Sequence, residues 1–505
     1  MKNKKNSFYA KTKNIDIIDG DELIAVISKE DGEKHGMHAM DKVALRHKGK
    51  EIVLNVDLSN HLVRPGEVGL FEDVYKKYSI PENESVELKY ARANPTSIEA
   101  IRKKLLGEKL TEQEIEAIVD DIKNNRLSDT HVTYFTACGF FYKSVNNELV
   151  RMTKATAKSG NCFNFGKKAV SKYCIGGVPS NETSMIIIPL LASLGITMPK
   201  SFSKAITSPA ATGECVSVLM NIKFTPDEVK KLVKKNNSCL VRSEPLNLAP
   251  ANDKIIKVSN AISMEPYSRM ISSIMAKQHA MGITDCLIDI PVGSTAKIPT
   301  LEIGKRIKRH FSYIGKKLGM NMKVLLTDAD QPVGKSIGAA LQVKEVLEIL
   351  QQKKNKSELL EKKALFLAKE ILEMIGFAHG IKAQEIVEEG LKSGKARKKM
   401  QEIIKMQGGR NWNIKPDEIK IGEKTKEIKA TKNGEIDEID MKHINTIART
   451  LGCPFDLKSG IVLHFKKNNK FKKGEILITL YSSDENKLKT AIKMLDKKNI
   501  YSFKK

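Results

Sequence analysis

The sequence predicts a multidomain α/β protein: a β-rich N-terminal domain, a helical lobe, a central mixed α/β domain and a C-terminal α+β domain. Three observations carry this. At 505 residues the chain is long for one domain, so three or four are expected. Over 162–250 and 284–410, short apolar runs closed by Gly turns alternate with segments of helical spacing, the grammar of a strand–helix sheet. Residues 1–88 read differently, as short alternating runs set apart by turn-formers.

Taken in order, ELIAVIS, KVALRH and EIVLNVDL within 1–88 suit the strands of a small barrel. Residues 89–161 form the helical lobe, with apolar spacing near 3.6. Thr111 is placed to cap a helix with Glu114 at its third position. A segment of about 251–283 is expected to return to that lobe. The central domain then comprises 162–250 and 284–410. Within it CLIDIPVG reads as a buried strand ending in a turn, and TDADQPVG at 327–334 repeats the pattern. A charged stretch near 410–430 leads into the C-terminal unit, 420–505.

Composition narrows the function classes. The net charge of +26 raises nucleic acid as a partner. Against this, the lysines are interleaved with glutamates, as in EVLEILQQKKNKSELLEKK, and aromatics make up only 6%, too few for a stacking platform. A solvated basic surface that steers phosphorylated metabolites is the better reading, and no nucleic-acid partner is expected. No apolar run reaches 18 residues, and the basic N-terminus lacks an apolar core, so neither a membrane span nor a signal peptide is expected. Seven cysteines without CxxC or CxxH spacing indicate neither zinc nor disulfides. The expected setting is cytoplasmic, with reduced thiols and no metal.

The chemistry concentrates between Ser171 and Glu214. Two hydroxyl-rich loops flank one apolar helical segment: the first carries Lys172, Gly176, Gly177 and Ser184, the second Ser203, Thr207, Ser208 and Thr212. Glycines let backbone approach an anion, hydroxyls and N–H groups bond its oxygens, and lysine supplies charge. Singly, a Gly-Gly is a turn and a Ser/Thr cluster a solvated loop; two such loops a helix apart suit one phosphate. Neither GxGxxG nor GxxxxGK[ST] occurs. Downstream, Ser273 and Lys277 share a helix face at i, i+4, and Thr295 and Lys297 follow the end of a strand, where ligands bind in α/β sheets.

On these residues the chain resembles the thymidine/pyrimidine-nucleoside phosphorylases, in particular their archaeal-type AMP phosphorylase branch. The family's Lys-His-Ser-x-Gly-Gly loop is similar to Lys172–Gly177, and its second loop to SKAITSPAAT at 203–212. NLAPAND at 247–253, DIPVGSTAK at 289–297, TDADQPVGKSIGAAL at 327–341, GLKSGKARKKMQEIIKMQGG at 390–409 and SGIVLHFKKNNKFKKGE at 459–475 extend the likeness over nearly the whole chain. An N-terminal extension ending GEVGLFEDVY points to the AMP branch.

The resemblance implies phosphorolysis of a nucleoside monophosphate, AMP foremost and CMP or UMP besides, with inorganic phosphate as co-substrate and no other cofactor. It implies phosphate binding by Lys172, Ser184, Ser203 and Thr212. Gly177, Ser203, Lys204, Ala205, Ile206, Thr207, Ser208, Thr212, Ser273 and Lys297 would contact the nucleotide, with Lys277 near the base. Glu265 stands where the branch has an aspartate proton donor. A homodimer or larger homo-oligomer is implied too. The first loop departs from the pattern: Tyr173 and Cys174 replace His and Ser, and Glu182 replaces a lysine. A catalytically weak nucleotide-binding paralogue of regulatory or structural role therefore stands beside the enzyme reading, and within the enzyme class a plain thymidine phosphorylase is a third alternative, disfavoured by the N-terminal domain.

Overall fold

The computed structural model describes residues 7–20, 22–141, 146–203, 209–260 and 266–504. It divides into two compact units, Met1–Ala155 with Ala251–Ile262, and Thr156–Pro250 with Ser263–Lys505.

In the first unit, β1 (Ser7–Ile15), β2 (Ile24–Ser28), β3 (Lys42–His47), β4 (Lys50–Ser59), β5 (Glu67–Phe71) and β6 (Ser85–Tyr90) close a barrel in the order β1-β5-β2-β4-β3-β6. Closure leaves no free sheet edge. Ile27, Leu45, Leu54, Leu70 and Leu88 fill the interior. The helices that follow, from Pro95–Leu105 to Asn146–Lys158, share a core of Ile115, Ile118, Ile122, Leu127 and Phe135. Thr111 caps Glu112–Lys123 in a full capping box: its hydroxyl accepts from the Glu114 N–H, and the Glu114 carboxylate accepts from the Thr111 N–H at 2.7 Å. Of the expected return segment, Ala251–Ile262 joins this unit, whereas the helix Tyr267–Ala280 belongs to the second.

The second unit is built on parallel strands. β7 (Val170–Cys174), β10 (Asp285–Val292) and β11 (Asn321–Asp328) run in the order β11-β10-β7, and β8 (Met198–Phe202) pairs with β9 (Ser238–Arg242). The Val170 N–H donates to the Thr197 carbonyl at 2.8 Å, joining β7 to the chain just before β8. β10 is buried along nearly its whole length, as a parallel strand covered on both faces must be. The helix Thr183–Ser193, buried at almost every position, forms the centre of a core with Glu358–Met374 and Lys395–Met406.

C-terminal to these, β12 (Ser336–Ile337), β13 (Lys424–Lys429), β15 (Gly460–Leu463) and β17 (Ile476–Ser482) form a sheet in the order β12-β15-β17-β13. β14 (Gly434–Ile439) pairs with β16 (Lys470–Phe471) and β18 (Tyr501–Phe503). Two helices, Met441–Leu451 and Glu485–Lys497, close its core. No helix among the described residues is long and apolar enough to cross a membrane.

Candidate functional site

The site residues that the structure describes all lie in the second unit, where strand ends and the helix Tyr267–Ala280 present them. Lys172 sits on β7 with its side chain buried. Its ammonium donates to Thr183 Oγ1 at 2.7 Å and lies 3.7 Å from Asp289 Oδ2 on β10. Asp289 is shared: Lys363 Nζ stands 3.4 Å from Oδ2, and Thr327 Oγ1 donates to Oδ1 at 2.6 Å. Burial pushes this carboxyl up, but the ammoniums of Lys363 and Lys172 outweigh it and hold it below the ordinary range.

The first loop follows β7. Gly176 and Gly177 both have positive φ, +82° and +90°. At Gly177 the glycine is also a steric need, because a Cβ there would lie 2.5 Å from the Lys297 Cβ and 2.7 Å from its backbone nitrogen. Gly177 and Lys297, distant in sequence, are therefore brought together. Asn181 Nδ2 donates to Cys174 Sγ at 3.2 Å, and Thr183 Oγ1 donates to Asn181 Oδ1 at 3.4 Å, so the thiol is tied into the same network as Lys172. Burial, and then the charge of Asp289, push that thiol up. Ser184 is buried in the first turn of Thr183–Ser193. From behind, the 327–334 turn braces the loop: the Gly334 N–H donates to the Ser180 carbonyl at 2.8 Å.

The second loop begins at the end of β8. Lys277 Nζ donates to Ser203 Oγ at 2.6 Å, and Ser203 Oγ lies 3.2 Å from Ser243 Oγ at the end of β9. Ser273 is half-buried one turn before Lys277, while Tyr267 at the start of the same helix donates from its hydroxyl to the Lys297 carbonyl at 3.4 Å. One helix thus connects the Ser203 cluster to the Gly177–Lys297 contact. Thr212 is half-buried at the start of Thr212–Ser217. Lys204, Ala205, Ile206, Thr207, Ser208 and Glu265 lie outside the described residues.

Several participants were not singled out as site residues from sequence. Lys200, on β8, donates to the Lys172 carbonyl at 3.0 Å and stands 4.3 Å from the centroid of the Tyr173 ring. Burial, reinforced by Lys172, lowers its pKa to about 8. Asp289, Thr183, Thr327, Lys363 and Ser243 join it. The Asp of DIPVG was visible as part of a motif; nothing in the sequence marks Lys363. Chemically, these lysines, hydroxyls and Gly-loop backbone suit an oxyanion beside a polar ligand. No His/Cys/Asp/Glu group among the described residues is arranged to hold a metal ion.

Comparison with known proteins fits this architecture. The glycosyl transferase family a/b domain matches residues 166–397, spanning both loops, β10 and the helix Tyr267–Ala280. The pyrimidine nucleoside phosphorylase C-terminal domain matches 435–502. The class is therefore a glycosyl transferase α/β domain joined to a pyrimidine nucleoside phosphorylase C-terminal domain. Within it the relatives are specific. AMP phosphorylase from Pyrococcus furiosus is 40% identical over 483 residues, 95% of each chain. The AMP phosphorylases of Thermococcus kodakarensis and Methanococcus maripaludis are 39% and 37% identical, each over 96% of this chain and 95% and 96% of their own. The chain belongs to the AMP phosphorylase family. Among solved structures, anthranilate phosphoribosyltransferase from Thermus thermophilus matches with a TM-score of 0.52 over 61% of this chain and 99% of its own. At 13% identity that likeness speaks for the fold alone.

Proposed function

We propose that this chain is a pentosyltransferase that phosphorolyses nucleoside monophosphates, converting AMP and inorganic phosphate to adenine and ribose 1,5-bisphosphate. The supporting observation is one helix hydrogen-bonded both to the second loop, Lys277 to Ser203, and to the segment that abuts Gly177 of the first, Tyr267 to Lys297, in a chain 40% identical to an AMP phosphorylase along nearly its whole length.

The reaction sets the roles. A phosphate oxygen attacks the anomeric carbon as the base departs, through a transition state of oxocarbenium character that a firmly placed anion stabilises. Lys172, Ser184, Ser203 and Thr212 bind that phosphate, and Asp289 and Thr183 fix the Lys172 ammonium. Gly177, the loop from Ser203 to Ser208, Ser273 and Lys297 bind the nucleotide, with Lys277 near the base. Departure of the base is eased by protonation, the role given to Glu265. Phosphate is the co-substrate and no other cofactor takes part.

The working form is a homodimer or larger homo-oligomer in the cytoplasm. Large apolar side chains exposed on the helical lobe, Leu106, Tyr134, Phe140 and Phe141, support an interface there. The deciding assay is release of free base from AMP, CMP, UMP and thymidine, with and without phosphate. Phosphate-dependent release from AMP supports the reading. Tight AMP binding with no release from any substrate makes the chain a nucleotide-binding protein, and release from thymidine alone makes it a nucleoside phosphorylase.

A further inference from the structure

One buried carboxylate beside the proposed anion site has no part in the chemistry just described. Glu182 is 5% exposed. Its carbonyl accepts from the Met185 N–H at 3.0 Å at the start of the helix Thr183–Ser193. Its Oε1 accepts from Gln342 Nε2 at 3.4 Å, the Thr212 hydroxyl lies near enough to stabilise the charged carboxyl, and its Oε2 is buried without a well-formed hydrogen bond. The groups that face it come from each neighbouring element: Lys172 on β7, Lys200 on β8, and Thr212, Glu214 and Cys215 on Thr212–Ser217. Gln342, from the helix Ala339–Leu350, is neutral.

An ionised carboxylate repels a bound oxyanion unless a proton lies between them. Hydrogen phosphate brings such a proton at neutral pH, as does hydrogen arsenate; sulfate has none. Oε2 is an acceptor for it, and an acceptor left buried without a well-formed hydrogen bond is costly. We propose that Glu182 receives the proton of hydrogen phosphate in a hydrogen bond, so that the anion site selects protonated oxyanions over sulfate. This deepens the phosphorolysis reading and rests on its placement of phosphate beside Lys172 and Thr212.

The electrostatics run the same way. Burial raises the Glu182 carboxyl to about 7, with Glu214 pushing in the same direction while the Thr212 hydroxyl, Lys172 and Lys200 oppose. Above that value the empty site holds a carboxylate, which accepts from hydrogen phosphate and repels sulfate. Below it the site holds a carboxylic acid, which donates to either anion. Sulfate affinity therefore rises as pH falls through about 7, and selectivity for phosphate is greatest on the alkaline side.

The test is calorimetric titration of phosphate, arsenate, sulfate and AMP into the full-length protein at about pH 8 and about pH 6. It uses wild type, Glu182→Gln and Glu182→Asp, with thermal unfolding to verify folding. At the higher pH, wild type should bind phosphate and arsenate about a hundredfold more tightly than sulfate, the scale of one unsatisfied buried group. Glu182→Gln, which donates to either anion, should bring the ratio within about tenfold and lose its pH dependence. Glu182→Asp should keep the preference in weakened form. A glutamine variant with the wild-type ratio overturns the proposal. If that variant does not fold, the wild-type ratio at the higher pH decides, because sulfate bound there as tightly as phosphate overturns it equally. Phosphate bound without selectivity defeats this proposal alone; AMP bound with no phosphate binding defeats the phosphorolysis reading with it.

Discussion

Lys172 and Asp289 face each other across two neighbouring parallel strands, Nζ to Oδ2 at 3.7 Å, with side chains 1% and 0% exposed. Register produces the contact. Lys172 pairs with Leu287 and Cys174 with Asp289, so lysine and aspartate lie two residues apart on one face of the sheet. Charges so deeply buried are tolerated only when paired and hydrogen-bonded, which Thr183, Thr327 and Lys363 complete.

Asp289→Asn should therefore leave two buried ammoniums under-compensated and cost about 3–5 kcal/mol at neutral pH. The sign of the pH effect is fixed. The folded-state pKa of Asp289 is depressed, so its contribution is fully present above the unfolded value of about 3.9 and is lost as pH falls through the folded one. Denaturant midpoints of wild type and variant should be furthest apart near neutrality and converge in acid. A gap of equal size at both ends would remove the ion pair as its cause.

Gly177→Ala and Gly176→Ala form a matched pair. Both positions have positive φ, so each alanine should cost about 1–2 kcal/mol of stability. Only at Gly177 does the new methyl meet Lys297, including its backbone nitrogen; at Gly176 it enters open space. The Gly177 variant should thus raise the nucleotide KM by about tenfold or more, while the Gly176 variant keeps it within about twofold. Equal KM values for the two would show that the Gly177–Lys297 contact does not shape the nucleotide site.

How far sequence carried these conclusions varies with the range of the interaction. The Thr111 capping box was legible because all its atoms come from four consecutive residues. β10 was legible because burial on both faces demands a largely apolar run, here Cys286–Val292 interrupted only by Asp289. The pairing of Lys172 with Asp289 was not, since parallel register joins segments with no local signal between them. The return segment 251–283 read as one piece, yet its two halves belong to different units: spacing shows that a helix has an apolar face, not what that face meets. The charged stretch near 410–430 reads as leading into the C-terminal unit, with no strand assigned to it. Within it Lys424–Lys429 is a largely exposed strand at the edge of the C-terminal sheet, and charge is what protects such an edge from unwanted pairing.

Glu265 carries the proton-donor assignment by its place in the sequence. Replacing it with Gln keeps a hydrogen-bonding side chain and removes the transferable proton. Turnover of AMP should fall by about a hundredfold or more, with little change in nucleotide affinity, because the loss is confined to the transition state. Glu265→Asp should retain or raise activity. Unchanged turnover in the Gln variant would move the acid to another residue.

Lys200 offers an alkaline counterpart to Asp289. Its ammonium is buried, and burial together with Lys172 lowers its folded pKa to about 8, against about 10.4 in an unfolded chain. Between these values the unfolded state binds more protons, so this lysine makes stability rise with pH. Lys200→Met keeps the apolar stem and removes the titrating group, along with the hydrogen bond to the Lys172 carbonyl and the contact with the Tyr173 ring. The stability difference, wild type minus variant, should therefore grow in favour of wild type by about 1–3 kcal/mol as pH rises from about 7.5 to about 10. Other buried lysines and tyrosines titrate in that range, but they do so in both proteins and cancel in the difference. Urea unfolding of the pair across the interval reads it directly. A difference that stays constant with pH would mean that Lys200 keeps its ordinary pKa in the fold, and that Lys172 and Lys200 lie side by side on β7 and β8 without feeling each other's charge.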